Sequence, residues 1–142
     1  MSHSATTVYM GSHGSNVLES DNWLGDPATF LAGLCCHLDD DGDLSLAAAD
    51  GAKLGISLGR SLSGDSKGVT VARKGKKIPI LLTNGFTPTV GAQVQISTTT
   101  GKAVSSGTAV NAVYVSGALT AYDEDGNAIA DGAAYIDFIG GL

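Results

Sequence analysis

The chain has 142 residues, a net charge of −6 and a pI near 4.7. Only 15% of it is charged, and it holds 20 glycines, a profile of small and β-branched residues with frequent turns that suits one all-β domain with its own core. The acidic balance argues against nucleic acid, which needs a basic footprint, and against anionic membranes; no apolar run is long enough to span a bilayer as a helix.

Residues 1–22 are Ser, His, Gly and Thr with scattered apolar positions. There is no basic leader followed by an apolar stretch, so the segment does not read as a signal peptide. Its apolar residues are too few to offset the entropy of ordering it alone. It is expected to be an extended arm, either loose or ordered by lying on another surface, with the β domain spanning 23–142. Val8, Tyr9 and Met10 form a β-prone island suited to extending an exposed sheet edge. Val17 and Leu18 are its other apolar residues. Trp23, the only tryptophan, stands where arm meets domain and suits an anchor in a partner's pocket. These six residues are the candidate partner contacts.

Asp26 and Pro27 form a helix-start signal, cut short to one turn by Gly33 and the β-like CCHL that follows. The stretch from Gly33 to Leu58 alternates, turns through DDDGD, and alternates again at Leu54, Ile56 and Leu58. Val69 to Ala72 reads as a strand. Arg73 to Lys77, RKGKK, reads as a basic turn centred on Gly75. Ile78 to Leu82 reads as a strand whose Pro79 favours a sheet edge. Asn84-Gly85 is a turn dipeptide. From Val90 to Leu119 the period is two: Val94 and Ile96 oppose Gln93 and Gln95, and Val113 and Val115 are expected inward with Tyr114 outward. The last strand sets Ala134, Ile136 and Phe138 against Tyr135 and Asp137.

Segments 33–62 and 91–119 run in parallel, with Gly33 matching Gly91, Cys36 matching Val94, and DDDGD matching STTTGK. They make a candidate internal repeat of two β units in one domain. The sum is roughly eight to ten short strands, arranged as a jelly-roll-like sandwich or small barrel.

No stretch carries catalytic chemistry. Asp39, Asp41 and Asp43 lack the spacing and flanking helices of a calcium loop, so DDDGD reads as a solvated turn, and so does DEDGN at Asp123. Cys35 and Cys36 are adjacent and read as two reduced thiols on a strand, which fits assembly in a reducing cytoplasm. With His37 beside them they are too crowded for zinc. RKGKK could grip a phosphate or an acidic partner, but reads first as a solvated turn guarding a sheet edge. No cofactor or metal is expected.

The succession VTVARKGKKIPILL, GAQVQISTTTGKAVSSG, VYVSGAL and AYIDFI resembles the small β-rich decoration, or cement, proteins of tailed-bacteriophage heads. The matching marks are Gly91, Gly101-Lys102 and Gly117-Ala118-Leu119. The likeness runs from Val69 to the C-terminus, about half the chain, and its motifs are short. It implies a virion protein on the capsid exterior, assembled in the host cytoplasm. Such a protein binds the major capsid protein as a symmetric dimer or trimer, staples neighbouring subunits and catalyses nothing. The alternative is a carbohydrate-binding or adhesin-like β module of a tail fibre or surface layer, which would need exposed aromatics to stack on sugars.

Overall fold

The computed structural model describes residues 7–10, 17–24, 31–38, 44–46, 53–60, 68–123 and 126–139. Among these there is no helix. Ten strands follow one another: β1 (Thr7–Tyr9), β2 (Val17–Leu24), β3 (Cys35–Leu38), β4 (Leu44–Leu46), β5 (Lys53–Arg60), β6 (Gly68–Leu81), β7 (Gln93–Ile96), β8 (Thr108–Tyr114), β9 (Leu119–Tyr122) and β10 (Ala128–Phe138). They form one sheet in the order β1-β9-β10-β6-β5-β3-β4, with β2 also on β6 and the β7–β8 pair on β10. Only β1 and β9 run parallel; the other strand pairs are antiparallel.

β6 is the hub. Its first half pairs with β2 and β5, and its second half with β10. The sheet folds over so that one face of β3, β5 and β6 meets the same face of β7, β8 and β10. The largest core cluster lies between them: Ile56, Ile78, Ile80, Leu82, Val94, Ile96, Ile136 and Phe138 are all effectively sealed from solvent. The result is sandwich-like and open, not a closed barrel. Two smaller clusters cover the opposite face, one around Leu34, Leu81 and Ala133, the other around Cys36, Val69 and Val71.

The alternation holds in β7, where Val94 and Ile96 are buried, and in β10, where Ala134, Ile136 and Phe138 are buried against partly exposed Tyr135 and Asp137. In β8 the phase is the reverse of the expected one. Val110, Ala112 and Tyr114 face the core, while Val113 and Val115 are half-buried. The register explains it: Tyr114 lies opposite Ile136, so the two must share a face, and the aromatic side chain fills the space.

Two local expectations are corrected, and one holds. RKGKK is not a turn but the middle of β6, held by β2 on one edge and reached by β10 at Gly75. Pro79 does sit at a local edge: beyond Gly75, β10 is the only described strand that pairs with β6. It lies opposite Tyr135, and its missing N–H falls on the side of β6 that faces away from β10, because Leu81, two residues on, donates to Gly33 O (2.8 Å) while Leu82 donates to Gly132 O (3.2 Å). The arm is corrected too. β1 lies beside β9, Val8 and Met10 are buried in the Leu34–Leu81–Ala133 cluster, and β2 runs along β6, so the boundary at residue 22 falls inside a strand of the domain's own sheet. A short parallel pairing that buries two apolar side chains supplies the ordering the segment could not supply alone. Asp26, Pro27 and the DDDGD turn lie outside the described residues.

The described parts of segments 33–62 and 91–119 have some local features in common. Each opens on a left-handed glycine, Gly33 (φ 94°) and Gly91 (φ 88°). Gly33 N donates to Ser57 O and Ser57 N to Leu34 O, at 2.7 and 2.8 Å; Gly91 N donates to Tyr114 O and Tyr114 N to Ala92 O, at 2.8 and 3.0 Å. A bridge from Leu38 to Leu44 in the first segment has its counterpart from Ile96 to Ala103 in the second. The segments also touch. Gly101, left-handed at φ 74°, closes the turn Ser97–Gly101 and accepts a 2.8 Å hydrogen bond from Cys35 N.

Candidate functional site

Of the six expected contact residues, Val8 and Met10 are buried in the core. Tyr9, Val17 and Trp23 have backbones paired with Tyr122, Gly75 and Val69, and Leu18 lies at a register break in β2; the side chains of these four lie outside the described residues. The exposed large apolar residues among the described ones are Leu31, Val90 and Ile139, none of them expected. Val90 had a signal in the sequence: it follows Pro88 and precedes a left-handed Gly91, so it belongs to a loop and not to the alternation.

Groups with intrinsic reactivity are turned inward. Cys35 and Cys36 are both free and both buried, on opposite faces of β3. Burial pushes the Cys35 thiol up to about 12. Burial, then the neighbouring Cys35, pushes Cys36 higher still. A thiol held protonated at neutral pH is a poor nucleophile. The Cys36 thiol points to Gly55 O at 3.6 Å, and His37 Nδ1 lies 3.0 Å from Leu46 O, which fixes that ring as a strand-to-strand tie. Among the described residues no three of His, Cys, Asp and Glu gather within reach of a metal ion.

Ser57 is the buried polar side chain of the core, and it is satisfied. Its hydroxyl accepts from Leu34 N at 3.1 Å and donates to Leu31 O, clamping the turn ahead of β3. Tyr114 differs. Its ring packs tilted on Phe86 with centroids 6.0 Å apart, its hydroxyl is buried without a hydrogen-bond partner, and burial raises its pKa to about 12. Thr83 Oγ1 is likewise buried and unpaired. Both belong to the base of the loop 83–92, which turns at Asn84-Gly85 with Phe86 N donating to Thr83 O (3.0 Å) and Gly85 at φ 79°. With φ positive at Gly85, the third residue, and not at Asn84, the second, this fits a type II turn.

Among the described residues, the surface display is polar and cationic. On β6, Lys74, Lys76 and Lys77 are exposed, and Arg73 Nε donates to Leu54 O at 2.9 Å. The side chains of β7 and β8 on the face away from the core are Gln93, Gln95, Ala109, Asn111 and half-buried Val113. Gln95 Oε1 accepts from Gly107 N (2.9 Å) and Gln95 O from Val104 N (2.9 Å), so the segment 103–107 covers the outer edge of β7. That protects a strand otherwise open to edge-to-edge pairing. No protein-family model, curated protein or solved structure matches the chain.

Proposed function

We propose that this is a structural virion protein that binds the outer surface of a tailed-phage capsid and cements neighbouring major capsid subunits. The reading rests on the likeness of residues 69–142 to head decoration proteins. One observation carries it furthest: the glycines that mark the likeness have backbone duties. Gly91 opens β7 in the left-handed region, Gly101 docks the turn onto β3, and Gly117-Ala118-Leu119 leads into β9. The pattern is therefore tied to how the sheet is built, which chance composition would not require.

A cementing protein needs a rigid body with a surface that meets another protein. The Ser57 clamp, the Gly101 dock and the covered β7 edge supply the first of these. The protein acts as a homo-oligomer, a dimer or trimer, because capsid lattices present local symmetry positions and a closed oligomer uses one patch repeatedly. The adhesin reading is weaker: of the described aromatic side chains, Tyr114 and Phe138 are buried and Phe86, Tyr122 and Tyr135 are half-buried, so none stands out as a sugar-stacking platform. Co-sedimentation with purified phage heads tests the proposal. Saturable pelleting with heads supports it. Failure to pellet, together with a thermal shift in a glycan screen, would transfer the case to the adhesin reading.

A further inference from the structure

We propose that Lys74, Lys76 and Lys77 form a docking surface for an acidic segment of a partner protein. The argument starts from the phase of β6. Ala72, Ile78, Ile80 and Leu82 all face the main core. Unbroken alternation would put residues 74 and 76 on that same face, in the core. Instead Lys74 and Lys76 are exposed and Gly75 is buried. The chain achieves this with register breaks on either side. Along β2 the pairing steps irregularly between Ala72 and Gly75, with Glu19 opposite Lys74 and Ser20 opposite Ala72. Along β10 it slips between Gly75, opposite Phe138, and Ile78, opposite Ile136. Between these breaks the strand's inside and outside are exchanged.

The second break bears a sign of strain. Lys77 has φ 52°, the one non-glycine residue with positive φ among those described. Its N–H is capped by Asp137 Oδ1 at 3.1 Å. A left-handed lysine is unfavourable without a local reason. Apolar residues at 74 and 76 in a regular strand would complete the core without either bulge. The sequence instead has cations at core-phase positions and turns them outward. Bulges that re-aim side chains are a recognised feature of interaction sites.

The outcome is four cations, Arg73, Lys74, Lys76 and Lys77, within five residues of a chain whose net charge is −6. In the backbone register Glu19 pairs with Lys74, and Asp137 Oδ1 caps the bulge at Lys77. The rest of the chain is predominantly acidic, since the whole holds 8 Lys and Arg against 14 Asp and Glu. A cationic patch in such a chain suits a short run of Asp or Glu on a protein surface better than the extended polyanion of nucleic acid, which the acidic remainder would repel.

The test is chemical-shift mapping on the isotope-labelled full chain, titrated with an octaglutamate peptide and, separately, an oligothymidylate of equal charge. The expected result is that the peptide shifts amides of residues 73–78 and 137 and binds more tightly than the oligonucleotide. Raising salt from about 50 to about 300 mM should weaken it. The pair Lys74→Gln and Lys76→Gln should weaken peptide binding by about five-fold or more. Lys77→Gly separates charge from fold, because glycine accepts the left-handed bulge; it should also weaken binding while raising Tm. Shifts that map elsewhere, unchanged affinity in these variants, or equally tight oligonucleotide binding would overturn the proposal. None of these readouts uses heads, so the capsid reading can fail while this inference stands, and the reverse.

Discussion

Replacing Gly101 by alanine probes the contact between the two halves of the sheet. Two terms add. Gly101 has φ 74°, and a left-handed alanine costs about 1–2 kcal/mol. A Cβ there would also sit 2.6 Å from Cys35 O, 3.4 Å from Cys35 N and 3.2 Å from a Leu46 methyl. The carbonyl of β3 cannot yield without straining the hydrogen bond from Cys35 N to Gly101 O (2.8 Å), whose loss adds about 0.5–1.5 kcal/mol. Gly101→Ala should therefore destabilise by about 1.5–3.5 kcal/mol. Gly85→Ala is the control. It has nearly the same φ, 79°, but no atom lies within 4 Å of the added Cβ, so only the first term applies. Urea unfolding followed by fluorescence gives both values. The difference should be about 0.5–1.5 kcal/mol. If the two variants fall by equal amounts, Gly101 does not dock on β3 and the account of how the two units join is wrong.

Other expectations follow from burial. Both thiols should resist an alkylating reagent in the native protein at pH 8 and react on denaturation; rapid native labelling would contradict their placement in the core. The same burial sets the alkaline limb. Cys35 and Tyr114 have folded pKa values raised to about 12 from 9.0 and 10.0. They contribute stability that is full below pH 9 and lost as pH rises through 9 to 12, at up to about 1.4 kcal/mol per pH unit for each group. Stability that is flat to pH 11 would refute this. Tyr114→Phe removes a buried hydroxyl that has no partner, so it should be neutral or stabilise by up to about 1 kcal/mol, and a loss above that would reveal a hidden hydrogen bond. Deleting residues 1–10 removes buried Val8 and Met10 and should cost about 3–5 kcal/mol in thermal unfolding; an unchanged Tm would restore the free arm.

Where period-two alternation met a single buried face, the fold was legible in the residues. β7 and the end of β10 follow the pattern Val94–Ile96 and Ala134–Ile136–Phe138 announced. The all-β class and the strand number follow from the same signal. What was not legible depends on partners far along the chain. Tyr114 points inward because Ile136 lies opposite it, 22 positions away in sequence. RKGKK looks like a turn because glycine and charge usually mark one, yet β2 and β10 hold it extended and bulges handle its charges. The β-prone island at Val8 to Met10 reads as an edge strand, but for a partner's sheet; only the pairing with β9 shows that the sheet is the domain's own and that Val8 is buried in it. For the site, the burial of Cys35 and Cys36 on both faces of β3 needed the folded-over sheet. The exposure of Val90 could have been read from the proline and glycine around it.

Cryo-electron microscopy of purified tailed-phage heads incubated with the protein at saturating concentration tests the cementing role most directly. The account predicts added density on the outer surface, repeated at symmetry-related positions and spanning boundaries between neighbouring capsid subunits. Heads that show no outer density at saturation, or density confined to tail structures, would contradict it.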